Sequence, residues 1–301
     1  MKYIFGPLAS RRFGMSLGID LSPDEKSCNF DCIYCELAKA IKTDKITNPP
    51  KVDEVIAELK EAMCKFDFDV ITITANGEPT LYPYLDELID AINEIKGEKK
   101  LLILSNASTI ERQDVRDSLA KLDIVKLSLD SANETTFKKI DRPMNSIELK
   151  NIIDGLIKYS QDSNNELVLE VLVVKGINDK VEEFTLLNRV INEINPARVD
   201  ISTIDRPPAY NVEPLSYEEL HELAKEIKNQ TLFIASRKNI DAKKESFSED
   251  EILKTLSKRP FTKEDIENVF NTKTKERFES LLATGKIEIV KVGNIDFFRT
   301  V

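Results

Sequence analysis

Cys28-Asn29-Phe30-Asp31-Cys32-Ile33-Tyr34-Cys35 places three of the chain's four cysteines within eight residues. Thiolates so closely spaced on a loop are positioned to grip one metal centre. Sulfur is a soft ligand, which favours an iron–sulfur cluster or zinc over hard cations. A structural zinc normally takes four protein ligands in a tetrahedron, and no fourth ligand lies nearby. Cys64 follows 29 residues later, in the apolar-periodic stretch Val55, Leu59, Met63, which reads as a helix. The single histidine, His221, falls in a distant helical segment. Three cysteines suit a four-iron (4Fe–4S) cluster with one iron open to a non-protein ligand; zinc is the alternative.

Working outward, strand-like and helical runs alternate. Strands are expected at Ser16–Ser22, Asp69–Thr74, Leu101–Ser105, Ile124–Leu129, Leu167–Val174 and Val199–Ile204. Helices are expected between them, at Val52–Lys65, Tyr84–Ile95, Arg112–Leu122, Glu134–Ile140, Ser146–Tyr159 and Val181–Ile194. Such units imply an α/β fold with a parallel sheet and right-handed crossovers. Six of them make an open partial (β/α)6 barrel. Chemistry in these folds sits on loops after the C-terminal ends of strands, where the cysteine loop falls. A helix at Tyr217–Ile227 and a strand at Leu232–Ala235 complete this unit.

The chain has 301 residues and a net charge of −10. Residues 1–236 carry −12 and residues 237–301 carry +2, which suggests a boundary near 237. An acidic body is not a nucleic-acid surface in itself. No apolar run approaches the roughly 18 residues needed to cross a membrane. The N-terminus lacks signal-peptide architecture, and free cysteines fit a reducing cytoplasm. The expected division is 1–236 and 243–301. In the second part, helices at Glu251–Ser257, Lys263–Phe270 and Lys275–Thr284 precede Lys286–Val290, a Gly293-Asn294 turn and Ile295–Arg299. That order resembles a small winged-helix domain, a shape that fixes no partner.

The Cys-x3-Cys-x2-Cys spacing with Tyr34 resembles the radical S-adenosylmethionine (radical SAM) superfamily. Ala75-Asn76-Gly77-Glu78-Pro79-Thr80-Leu81, directly after the second strand, strengthens the likeness. Where that family usually has Gly-Gly-Glu this chain has Asn76, with Gly77 and Glu78 matched. The resemblance implies that Cys28, Cys32 and Cys35 hold the cluster and that SAM binds its open iron. It also implies SAM contacts from Tyr34, Asn76, Gly77 and Glu78, ribose contacts from Ser128 and Asp130, and lesser contacts from Asn106 and Asn178. Helix capping is the competing reading for Ser128, Asp130 and Asn178. No side chain is singled out as a catalytic acid or base.

Ser10-Arg11-Arg12 through the cysteines to Asp205-Arg206-Pro207-Pro208-Ala209 is similar to a subgroup related to wyosine synthases, which modify tRNA, and to functionally unassigned iron–sulfur oxidoreductases. Arg11, Arg12, Arg142 and Arg206 are candidate substrate contacts because a guanidinium fork can hold a carboxylate or phosphate. The last two lie in identical strings, Ile140-Asp141-Arg142-Pro143 and Ile204-Asp205-Arg206-Pro207. Structural ion pairing is the competing fate of such arginines. The likeness further implies an electron donor such as flavodoxin or ferredoxin. Candidate substrates are RNA, through Lys273, Lys275 and Arg277, or a polypeptide held by the C-terminal domain. A metal-containing nucleic-acid-binding regulator is the non-enzymatic alternative.

Overall fold

The computed structural model describes residues 1–10, 12–234, 244–292 and 295–301. An antiparallel hairpin opens the chain, β1 (Ile4–Ser10) and β2 (Gly14–Asp20). Strand–helix alternation follows: α1 (Val52–Lys65), β3 (Val70–Thr74), α2 (Leu85–Ile95), β4 (Lys100–Ser105), α3 (Gln113–Leu119) and β5 (Ile124–Ser128). It continues through α4 (Glu134–Ile140), α5 (Leu149–Asp162), β6 (Glu166–Val173), α6 (Val181–Ile194), β7 (Arg198–Thr203), α7 (Tyr217–Ala224) and β8 (Leu232–Ile234). These eight strands form one sheet in sequence order, with β2 through β8 parallel. Among the described residues β8 does not pair with β1, so the sheet is open.

Why these residues form these elements is visible in α1. Val55, Leu59 and Ala62 recur at helical spacing and are buried, while Asp53 and Glu54 sit in the first turn and Lys65 in the last. That charge arrangement complements the helix dipole. In the strands the two faces differ. Ile71, Ile73, Leu101, Ile103, Val125, Leu127, Leu169 and Val171 are fully buried in the main core. The alternate residues turn inward. Val70, Leu102, Ile124 and Val168 pack with Phe13 as a separate apolar cluster inside the curved sheet. One step along each strand Lys126, Glu170 and Asp200 appear, with Lys126 Nζ 2.7 Å from Glu170 and 3.3 Å from Asp200. Arg12 closes this buried network at 3.0 Å from Asp200 and 3.3 Å from Glu170. The inward face thus carries an apolar layer and, next along the strands, a layer of paired charges.

The edge strand β1 was not expected from sequence. Beyond the sheet come α8 (Glu249–Lys258), β9 (Phe261–Thr262), α9 (Lys263–Val269), α10 (Thr272–Ala283), β10 (Ile287–Val292) and β11 (Ile295–Thr300). The strands make a small antiparallel sheet in the order β10-β11-β9, with β9 additional to the expected hairpin. The expected Gly293-Asn294 turn, Ala235 and the proposed boundary near 237 lie outside the described residues. Capping boxes start two of these helices, Ser248 with Glu251 and Thr262 with Asp265.

The apolar core of these elements runs into that of the large sheet without a break. Phe247 is fully buried, its ring 5.5 Å from Phe66 after α1 and 5.3 Å from Phe270. Phe247→Ala should therefore lower stability by about 3–5 kcal/mol, as for other deeply buried aromatic truncations. Urea unfolding checks this, and a loss below about 1 kcal/mol, ordinary for a surface change, would contradict the continuous core.

Candidate functional site

The cysteine loop leaves β2 at Asp20, and residues 21–51 contain no helix or strand. Its order comes from contacts. The buried Asp20 carboxylate accepts from Ser22 N at 3.0 Å and Asn76 N at 2.7 Å, tying the loop's start to the β3 exit. Ser27 N donates to Asn76 O and Glu78 N donates to Ser27 O, each at 2.8 Å. Gly77 sits between them with φ +139°, and a Cβ there would stand 1.8 Å from Ser27 O. The glycine is required by the approach of one loop to the other. On the far side Asp31 N and Ile33 N donate to Asp141 O and Ile140 O, and Met144 N donates to Asn29 O.

Cys28, Cys32 and Cys35 are free thiols with distinct surroundings. Asn106 Nδ2 lies 3.7 Å from Cys28 Sγ, Cys32 Sγ lies 3.4 Å from Asp141 Oδ1, and Lys26 Nζ lies 3.2 Å from Cys35 Sγ. Burial, with Glu78 nearby, pushes the Cys28 thiol up to about 12. Burial and Asp141 push Cys32 well up too. Both would need metal cation charge to ionise at neutral pH. The donor chemistry fits an iron–sulfur cluster: three soft ligands, a cation on one of them, and Ser27 Oγ, beside Cys28, buried without a partner. Among the described residues no three His, Cys, Asp or Glu side chains converge on a single-ion site.

Glu78 is buried and its carboxylate is heavily used. It accepts from Thr80 N, Thr80 Oγ1, Ser105 Oγ and Asn106 N at 2.7–3.0 Å. Its carboxylate locks the β3 and β4 exits together. Asn106 turns to the cysteine loop, donating to Asn29 Oδ1 at 3.0 Å. The Tyr34 hydroxyl donates to Asp130 Oδ2 at 2.5 Å and stands 3.3 Å from Asp141. Ser128 lines the same small cavity as Tyr34, Asn106, Asp130 and Asp141. Burial raises both carboxyl groups, and the nearby Asp130 charge raises Asp141 further. Asp141 was missed from sequence; its only signal was its place in the repeated Ile-Asp-Arg-Pro string. Asn178 is fully buried and its side chain clamps backbone groups. It accepts from Val174 N and donates to Asp130 O and Leu172 O, using both amide hydrogens on backbone.

The inward faces of the strands enclose a lumen of about 470 Å³ that reaches Tyr34, Cys35, Asn76 and Gly77. Arg206 lines it, 3.3 Å from Asp205 and 3.5 Å from Glu36. Arg12 borders the lumen and pairs with Glu170 and Asp200 in the buried network, the ion-pairing fate weighed for it from sequence. Arg142 is not among the residues lining the lumen; its guanidinium lies 4.3 Å from the Tyr210 ring and 3.7 Å from Asp31. Arg11 lies outside the described residues. Sequence reasoning also missed Lys258 and Arg259, which enter the lumen wall from the end of α8. In the C-terminal elements Lys275 pairs with Glu267, and Arg277 donates to Phe247 O at 2.6 Å. Two of the three cations expected to face RNA are thus used internally.

The family model described as the Radical SAM superfamily matches residues 26–187. A UPF0026 protein from Helicobacter pylori is 40% identical, covering 98% of this chain and 96% of its own length. A protein of Flammeovirga pacifica named S-adenosylmethionine-dependent nucleotide dehydratase is 30% identical, covering 57% of each. Among solved structures, SuiB of Streptococcus suis bound to precursor peptide SuiA superposes with a TM-score of 0.59 at 18% identity. That match covers 74% of this chain and 49% of SuiB, and it shows a shared fold.

The Ser27–Gly77 approach yields a direct expectation. Gly77→Ala should push the cysteine loop off the β3 exit, and the anaerobically reconstituted variant should retain severalfold less iron per chain than the parent. Equal iron content, measured by colorimetric iron assay, would show that the bridge does not hold the cysteines in place.

Proposed function

The chain belongs to the radical SAM superfamily and is an enzyme, and from that premise we propose that Cys28, Cys32 and Cys35 hold a 4Fe–4S cluster at which S-adenosylmethionine is reductively cleaved. The observation that supports this most is the pinning of three reduced cysteines, through Ser27 and Gly77, to the mouth of a strand-lined lumen. A cluster held by Cys28, Cys32 and Cys35 would supply the one electron that reductive cleavage of the SAM C5′–S bond requires, the source of methionine and of a 5′-deoxyadenosyl radical for hydrogen abstraction.

The chain's own residues position and shield. Lys26 places its ammonium beside Cys35 Sγ, at the edge of the proposed cluster site. Asn76 and Gly77 border the lumen with backbone groups, and Tyr34 closes its side towards Asp130. Ser128 and Asp130 remain the ribose candidates, with Asp130 already holding Leu172 N at 2.8 Å. Glu78 acts by fixing the two strand exits. No side chain is assigned to proton transfer. The wall of the lumen keeps water from the reacting centre, which is the protein's main part in such chemistry.

The C-terminal elements are read as a winged-helix unit, with the working division 1–236 and 243–301. RNA binding through that unit keeps only Lys273 among its three cations outside the internal contacts described above. The polypeptide alternative has no side-chain observation of its own. The relative named for nucleotide dehydration instead favours a compact, nucleotide-sized substrate in the lumen. A flavodoxin- or ferredoxin-type donor would supply the electron.

Anaerobic protein reconstituted with iron and sulfide, reduced and given SAM, should form 5′-deoxyadenosine, and replacing any one of Cys28, Cys32 and Cys35 by alanine should bring this to background. Chromatographic quantification of the nucleoside checks it. No product from a protein with a full cluster would overturn the reading.

A further inference from the structure

The end of α8 puts two consecutive cations at the lumen. Lys258 Nζ reaches Asp20 Oδ2 at 2.6 Å, so its charge is matched. Arg259, one residue on, is different. Its NH1 donates to Ala9 O at 3.3 Å, and its NH2 is 3.7 Å from Asp265 Oδ1, too long for a hydrogen bond. Asp265 is occupied elsewhere, with Oδ2 accepting from Thr262 N and Thr262 Oγ1 in the cap of α9. Arg259 Nε is buried without a partner. A guanidinium has five donor hydrogens, and among the described residues one hydrogen bond is all that Arg259 makes. Buried charges are ordinarily paired.

Arg206 stands close enough to Arg259 to add to the problem. Burial and then the Arg206 charge lower Arg259 to about 10. Burial also works against Arg206, but Asp205 and Glu36 outweigh it and hold that guanidinium charged. Both arginines line the same cavity as Cys35 and Gly77. Two guanidiniums lining one cavity, one of them with a single side-chain hydrogen bond, an unpartnered Nε and only a long ion pair to Asp265, form the arrangement that binds an oxyanion by two-point contacts.

We propose that Arg259, with Arg206, forms an oxyanion subsite in the lumen, and that the substrate carries a phosphate or carboxylate group held there. The C-terminal unit then supplies a wall of the substrate pocket rather than a detached docking module. Its Lys258, on Asp20, is a positioning residue: the Asp20 carboxylate orders Ser22 and Asn76 at the start of the cysteine loop and at the β3 exit. This rests on the reading of the lumen as the radical SAM site.

The test is calorimetric titration of the full-length, cluster-loaded protein under argon with SAM present, using pyrophosphate, inorganic phosphate and malonate as probes. Saturable binding of one equivalent is expected for at least one probe, with Arg259→Gln and Arg206→Gln each weakening it about tenfold or more, the scale of losing a charge-assisted hydrogen bond. Arg259→Lys should restore part of it. Preference for the phosphates assigns a phosphorylated substrate, and preference for malonate a carboxylate. The subsite is overturned if no probe binds the parent protein, or if both glutamine variants bind as the parent does. It is also overturned if Arg259→Gln weakens SAM itself by the same factor, which would place the SAM carboxylate at the pair. Formation of 5′-deoxyadenosine by a protein that binds no probe would sink this inference alone. Probe binding without that nucleoside would sink the radical reading and leave the subsite standing.

Discussion

Two backbone hydrogen bonds between Ser27 and the Asn76–Glu78 segment constrain the site more than any other contact. A segment of some thirty residues without helix or strand is uncommon in a compact domain and is usually functional. Conformational entropy works against its order, at about 1–2 kcal/mol per fixed residue. The loop is ordered because it is stitched on both sides, to the β3 exit through Ser27 and to residues 140–144 through Asn29, Asp31 and Ile33. Gly77 lets the first of these seams close, since any side chain at that position would overlap the Ser27 carbonyl. The cysteines therefore inherit their placement from the sheet.

The second constraint is the alternation of the strands. Their outward residues are aliphatic and lie under the helices, while their inward residues change character along the strand axis. Val70, Leu102, Ile124 and Val168 come first, then Lys126, Glu170 and Asp200, then the lumen. A buried ion network adds little net stability over an apolar one, although breaking it by removing one partner costs several kcal/mol. Its place between the apolar plug and the lumen sets a polar floor beneath the site. The C-terminal elements bear on the same site through α8, whose last residue holds Asp20 and whose next residue borders the lumen.

Much of this was legible from residues alone, for physical reasons. Strong period-2 and period-3.6 patterns placed α1, α4 and α6 at their observed limits and β2 through β7 within two residues at each end. The edge strand β1 escaped because Gly6-Pro7 breaks the pattern, and proline is tolerated on a sheet edge where no donor is needed. The three cysteines announce themselves by spacing, and Gly77 by its place after the second strand in a segment that resembles the family's. Side-chain direction does not. Arg142 and Arg206 sit in identical tetrapeptides, yet one packs on Tyr210 and the other lines the lumen. Asn178 looked like a ligand contact and is spent on backbone groups. Arg259 carries no local signal and Asp141 only its place in the repeated Ile-Asp-Arg-Pro string, because both make contacts with chain segments more than a hundred residues away.

The central claim is that three protein sulfurs leave one cluster iron for SAM. Electron paramagnetic resonance of the reduced, anaerobic protein, recorded before and after adding SAM, tests it most directly. A 4Fe–4S signal whose g-values shift on addition of SAM is the predicted result. An unchanged signal, or a purified protein whose metal is zinc, would contradict it.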